Sequence, residues 1–322
     1  MTVPDIMVPF REEEMLYEDK YPGMEPDAPG TPVLKTPIQP HENLKMLFAG
    51  EKPLWMPSFL EFKMFNPRIL AENAVRPGAP KVPDITEWEK YIVFPDLSKL
   101  DWAGSLAENA EYLNDPRAIQ MTVFTGFFER LVSFVDMTQA RSALVDEEKK
   151  PAVHRLFQAL ADFYDELFYY LSKWYRPDLL LFQDDWGSQS GPLFSLETCR
   201  EMIVPYLKQT VESAHNYGIG FEFHCCGKVE QLVPAMIEAG VDMWAGQDMN
   251  DKEQLYRQYG QNIILGVDPP KLPLDASPEQ VAERTAQFLD MYPRNVYVGM
   301  SFAADSRYYT EIYRQSRIRY NS

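Results

Sequence analysis

Eight short runs of apolar, β-branched or aromatic residues alternate with amphipathic stretches along this chain, and that alternation limits the fold more than any other feature. The runs are Leu54–Ser58, Tyr91–Pro95, Ile119–Phe124, Leu179–Gln183, Ile219–Cys225, Val241–Ala245, Asn262–Val267 and Asn295–Met300. Between them, stretches such as SLETCREMIVPYLKQTVESAHNYG repeat apolar residues at steps of three and four, the spacing of one helix face. Gly218, Gly240 and Gly260 each stand just before a run, where helix C-terminal glycines belong. Strands alternating with helices predict a parallel sheet, and eight is the number that closes a (β/α)8 TIM barrel. A doubly wound open sheet is the competitor. It would usually carry a Gly-rich phosphate loop, and neither G-x-G-x-x-G nor G-x-x-x-x-G-K-[ST] occurs. The expected fold is therefore α/β: a (β/α)8 barrel over residues 41–322 behind an extended N-terminal arm over residues 1–40. In such a barrel, chemistry sits at the C-terminal ends of the strands.

The length of 322 residues accommodates one large domain of this kind, and 45% hydrophobic with 13% aromatic residues fills its core. The charge limits the partners. Forty-eight acids against 31 bases give a net charge of −17, which repels phosphate backbones and anionic lipid. No apolar run approaches the roughly 20 residues that span a bilayer. The opening MTVPDIMVPFREEEM lacks the basic and apolar regions of a signal peptide. Three cysteines, two of them adjacent, form no disulfide framework. These features predict a cytoplasmic protein that binds neither nucleic acid nor membrane.

Two segments carry the chemistry. In GIGFEFHCCGKVEQ, strand alternation puts Glu222, His224 and Cys226 on one face and Phe221, Phe223 and Cys225 on the other. A carboxylate, an imidazole and a thiol at a strand end suit zinc, which accepts all three and keeps a fourth position open when catalytic. The competing reading is a histidine steadied by a glutamate beside an inert buried cysteine. In LLLFQDDWGSQSGP, an apolar run leads into Asp184 and Asp185, which would lie at the barrel mouth as general acids or substrate ligands. Helix capping and turn chemistry explain the same residues equally well. Gln189, Gln247 and Asp268, placed after later strands or in the same turn, read as a polar substrate-binding rim, with Ser301 after the last strand.

Together, DDWGSQSGPLFSLETCREMIVPYLKQTVESAHNYGIGFEFHCCGKVEQLVPAMIEAGVDMW and HENLKMLFAGEKPLWMPSF resemble the uroporphyrinogen decarboxylase superfamily, most closely its corrinoid-dependent methyltransferase branch. The resemblance spans residues 41–300 and implies a single (β/α)8 domain. Decarboxylases of the superfamily hold substrate carboxylates with arginines after the first strand. Here that place reads PSFLEFKMFNPR, with no arginine before Arg68. The methyltransferases bind zinc through an H-x-C pair, matched by His224 and Cys226, and a later cysteine, where this chain has Met300 and Ser301. One thiolate with imidazole and carboxylate makes a harder, more Lewis-acidic zinc than two thiolates do. Such a zinc suits an oxygen donor. The resemblance thus implies transfer of methyl from a small methoxylated compound, an aryl methyl ether for instance, to Co(I) of a corrinoid (cobalamin) carried by a partner protein. Methylcobamide:thiol methyl transfer and decarboxylation are the alternatives. Asp184 or Asp185 would supply a proton, and the third metal ligand would be Glu222, Ser301 or another group.

Overall fold

The structure, a computed structural model, describes residues 8–16, 20–21, 31–72, 75–77, 81–123, 125–269, 271–273, 275–299 and 306–321. Phe124, Met300 and Ser301 lie outside the described residues. The chain divides into two compact units: Met64–Asp115 with Ile119–Leu255, and Met1–Lys63 with Pro116–Ala118 and Tyr256–Ser322.

In the larger unit four parallel strands lie side by side: β1 (Ala118–Val123), β2 (Leu179–Gln183), β3 (Gly220–Cys225) and β4 (Met243–Gly246). Every residue of β1 is buried, as expected of a strand covered on both faces. Phe127 and Tyr164 pack beside Phe182 of β2 with ring centroids 6.0 and 5.2 Å away, so the helices Phe127–Phe134 and Lys150–Trp174 lie on the sheet through aromatic contacts. The pairing aligns Gln183 with His224 and His224 with Ala245, so β2, β3 and β4 end at one level. That register gathers the segments singled out by sequence.

The run Tyr91–Pro95 departs from expectation. Ile92–Val93 pairs antiparallel with Arg76–Pro77 and does not enter the parallel set. The reason is visible in burial: Ile92 is covered, whereas Val93 is 55% exposed and Pro95 has no N–H to give a ladder.

In the smaller unit β5 (Ile264–Val267) and β6 (Val296–Val298) are parallel, and Ser58 makes a parallel bridge to Val298. The expected first strand is thus represented by its last residue, while Asn43 ties down the segment before it. Its Nδ2 donates to the Trp55 carbonyl and its Oδ1 accepts from Leu54 N–H. Described parts of the arm pack Val8, Phe10, Met15, Leu34 and Ile38 on Leu54, Trp55 and Tyr313. Arg317 of the helix Ser306–Tyr320 grips Glu14 of the arm through two 2.8 Å bonds, and Tyr313 adds a third at 2.6 Å. Burial works to raise the Glu14 pKa, but Arg317 and Tyr313 outweigh it and leave the carboxyl below its ordinary value. Among the described residues, no helix is long and apolar enough to cross a membrane.

Candidate active site

The ends of β2, β3 and β4 present two chemically different sides. On one, Phe182, Phe221, Phe223 and Trp186 pack together, Trp186 lying 4.6 Å from Phe223. Cys225 is fully buried on this side and its sulfur accepts from Trp186 N–H at 3.2 Å. Burial holds its thiol far above the usual range. Cys225 is a packing residue.

Asp184 also turns inward. It is fully buried, and its carboxylate accepts from the N–H groups of Phe128 and Glu129 and from the Trp186 indole at 2.8–3.1 Å. Those two amides open the helix Phe127–Phe134, whose preceding residue, Gly126, has no capping side chain. Asp184 therefore caps that helix from a neighbouring strand. Gly126 permits this approach: a Cβ there would meet Phe182 and Asp184 atoms at 2.5 and 2.7 Å. Burial raises the Asp184 pKa to about 6 despite the three donors. Of the two candidate acids, this one is structural.

Asp185 points the other way. Its Oδ1 accepts from the Cys226 N–H at 3.0 Å, pinning the turn after β3 to the turn after β2. The two turns touch through backbone, since a Cβ on Gly227 (φ +87°) would lie 2.4 Å from the Gly187 carbonyl carbon. Cys226, half-buried, lies with its Sγ 3.6 Å from His224 Nε2. Burial, then the neighbouring carboxylates of Asp185 and Glu129, push the Cys226 thiol up to about 12. Burial also lowers the His224 pKa, against a hydrogen bond with the Ala245 backbone, which favours neutral imidazole.

Glu129 belongs to this group and was not anticipated. Burial, reinforced by the charges of Asp184 and Asp185, raises its carboxyl to about 7. Its place follows from Asp184, which fixes the helix that carries it. The only sequence signal was an acid three residues past a Thr-Gly pair at the end of the third run, T-G-F-F-E.

The remaining predicted residues sort as follows. Glu222 is buried, and its Oε2 accepts from Gln120 Nε2 of β1 at 2.5 Å. Among the described residues no three His, Cys, Asp or Glu side chains stand close enough to hold a metal. Glu222 therefore does not complete a ligand set with His224 and Cys226, because Gln120 engages it. Gln247 is placed beside the pair: its Oε1 accepts from Gly227 N–H at 2.8 Å and its Nε2 donates to Cys226 Sγ at 3.6 Å. Gln189 is exposed at the tip of the Gly187–Pro192 hairpin. Asp268 follows β5 in the smaller unit, half-buried.

The pair passes a geometric test for zinc. A tetrahedral zinc with N and S donors at ordinary bond lengths separates them by about 3.6 Å, the spacing of His224 and Cys226. A backbone partner for the imidazole is also what an oriented metal-binding histidine needs.

A family model described as uroporphyrinogen decarboxylase (URO-D) matches residues 122–301, more than half of the chain. No curated protein matches. Among solved structures, a methyltransferase from Methanosarcina mazei superposes with a TM-score of 0.63 at 12% identity, over 88% of this chain and 100% of that one. An endo-β-1,4-xylanase from Gloeophyllum trabeum reaches a TM-score of 0.39 at 9% identity, over 69% and 82% of the two chains. The endo-β-1,4-mannanase of Bacillus sp. JAMB-750 reaches 0.39 at 9% identity over 88% and 89%. The first likeness and the parallel βα units agree with the barrel class expected from sequence.

Proposed function

The chain belongs to the uroporphyrinogen decarboxylase family, and on that footing we propose that it is a methyltransferase that moves methyl from a small methoxylated compound to the cobalt(I) of a partner's corrinoid. One observation carries this reading: a neutral imidazole and a thiol 3.6 Å apart at the end of β3, with Asp185 and Glu129 beside them. The acids Asp185 and Glu129 outnumber Lys252 among the charged groups around the pair. A polycarboxylate such as a porphyrinogen would be repelled there, whereas a neutral ether would not.

Zinc held by His224 and Cys226 would act as a Lewis acid on the ether oxygen. The chain's own groups supply the rest. In the transfer the methyl carbon–oxygen bond breaks as the carbon–cobalt bond forms, and the departing oxygen keeps the electron pair and takes a proton. Asp185 and Glu129 stand where that proton would be held. Gln247, bonded to both the Gly227 amide and the sulfur, sets the direction of Cys226. Trp186 and the phenylalanines behind the strands keep the far side dry.

The test is turnover by the full chain with cob(I)alamin and a panel of methoxybenzenes, reading methylcobalamin by absorbance and the released phenol by chromatography. Both products should appear in equal amounts, and a chelator should stop them. Turnover without cobalamin, or indifference to chelator in metal-free protein, overturns the reading.

A further inference from the structure

The turn that follows β3 takes its shape from residues outside it. Its four successive amides, Cys226 to Val229, each donate to a different residue at 2.8–3.0 Å: Asp185 Oδ1, Gln247 Oε1, the Ser188 carbonyl and Asn250 Oδ1 in that order. Gly227 stands at φ +87°, a region that glycine enters about as readily as its mirror image. The local chain alone therefore does not fix the course of the turn that carries Cys226. Its partners do.

Asn250 is the most buried of these four partners. Asp248 and Met249 before it are exposed, yet Asn250 is only 3% exposed and its amide is fully used. Besides accepting from Val229, it donates through Nδ2 to the Gly227 carbonyl at 3.0 Å and to the Gln247 carbonyl at 2.9 Å. It thus ties the turn after β3 to the turn after β4. It also anchors the backbone of Gln247, the residue that reaches Gly227 N–H and Cys226 Sγ. Gln247 is exposed and its bonds compete with water, whereas those of Asn250 are sheltered. Because the Asn250 bonds end on Gly227, Val229 and Gln247, it acts on Cys226 through them.

We infer that Asn250 is a positioning residue of the His224–Cys226 pair: it holds the Cys226 turn in its ligating shape before a metal arrives, and so sets the affinity for zinc. This rests on the zinc-dependent reading proposed above. A thiol already held in place gives up little freedom on binding, and groups that orient a metal ligand are typically worth about 10- to 100-fold in metal affinity.

Zinc titration of the full chain in competition with a chelating dye tests this, with Asn43→Ala as the matched control. Asn43 is also fully buried and spends its amide on backbone, donating to the Trp55 carbonyl and accepting from Leu54 and Trp55, but it belongs to the smaller unit. Each substitution removes three side-chain bonds to backbone, so a loss that reflects stability alone appears in both. Asn250→Ala should bind zinc about 10- to 100-fold more weakly than wild type, and Asn43→Ala within about threefold of it. Should either variant fail to fold, hydrogen exchange in the wild-type chain still decides. The Gly227 and Val229 amides should be protected in metal-free protein, and zinc should slow their exchange by less than about threefold. The inference is overturned if the wild type binds zinc and Asn250→Ala binds it within about threefold, if both variants lose affinity alike, or if those amides gain protection only with zinc. Wild-type protein that takes up no zinc overturns the function proposed above and this inference with it.

Discussion

Asp184 and Cys225 face one side of the strand ends, and Asp185 and Cys226 face the other. The two aspartates are neighbours in sequence, as are the two cysteines, yet the two sides use the residues differently. On the helix-facing side the carboxylate and the thiol are matched: Asp184 has three donors, and the Cys225 sulfur takes the Trp186 amide. On the other side Cys226 keeps long contacts of 3.6 Å to His224 and Gln247, with Asp185 and Glu129 raising its proton affinity. Saturated polar groups hold a fold together, and partly used ones remain available for chemistry. The smaller unit holds a second contrast: Arg317 grips Glu14, whereas no cation among the described residues pairs with Glu61, whose Oε1 accepts from the Trp55 indole N–H at 2.6 Å.

The cysteines provide the largest expected effect. Cys226→Ser and His224→Ala should each lower turnover by roughly 1,000-fold, about 4 kcal/mol of transition-state stabilisation, with little change in melting temperature. Cys225→Ser should keep turnover and lose about 1 kcal/mol of stability for its buried hydroxyl. Assays and melts of the three variants side by side make the check. Loss of activity in Cys225→Ser alone would break the contrast.

The aspartates sharpen it. Asp184→Asn halves the acceptors offered to the start of the helix Phe127–Phe134, so it should cost about 2–3 kcal/mol by denaturant unfolding. Asp185→Asn should leave stability within about 0.5 kcal/mol and slow turnover by about 10- to 100-fold. The reverse pattern would exchange the roles assigned to them.

For the buried glutamates the expected readout is stability against pH. Glu61 has a folded pKa raised to about 8 from 4.5, so its contribution is fully present below about pH 4.5 and is lost as pH rises through 8. Glu14 is shifted the other way, and its contribution is present above about pH 4.5 and fades as acid protonates it. Glu61→Gln should therefore gain on wild type between pH 5 and 9, by about 2 kcal/mol at the upper end. A pH-independent difference would mean that Glu61 is solvated.

Much of this was legible in the sequence because it depends on local rules. Alternation along GFEFHC assigns Phe221, Phe223 and Cys225 to one face without any knowledge of neighbours, and the structure agrees. What failed to show depends on residues far apart in the chain. Glu222 shares the face of His224, but Gln120, 102 positions earlier, engages its carboxylate. Glu129 is brought to the thiol by a helix that Asp184 caps from 55 residues away. The run Tyr91–Pro95 has the composition of a core strand, yet only Ile92 in it is buried, and Ile92–Val93 pairs antiparallel with Arg76–Pro77. Glu61, in SFLEFK, looks like any surface acid until Trp55 folds over it.

The smallest effect concerns Gln247, expected from sequence to bind substrate and placed by the structure against the sulfur. Gln247 is exposed, and two hydrogen bonds are at stake, one from the N–H of buried Gly227 and one to the Cys226 sulfur. Gln247→Ala should lower kcat by about 3- to 10-fold, the worth of one hydrogen bond, with KM for the methyl donor unchanged. The reason is that the amide acts through Cys226: without it the sulfur loses its direction, and binding of donor does not. Gln247→Glu is the sharper variant, because it replaces the N–H donor with a second acceptor and adds a charge beside Cys226. It should fall below Gln247→Ala in kcat while keeping the same KM. A rise in KM with kcat intact in both variants would instead make Gln247 a substrate ligand, and would move it from the side of the strand ends that positions the thiol to the rim that receives the donor.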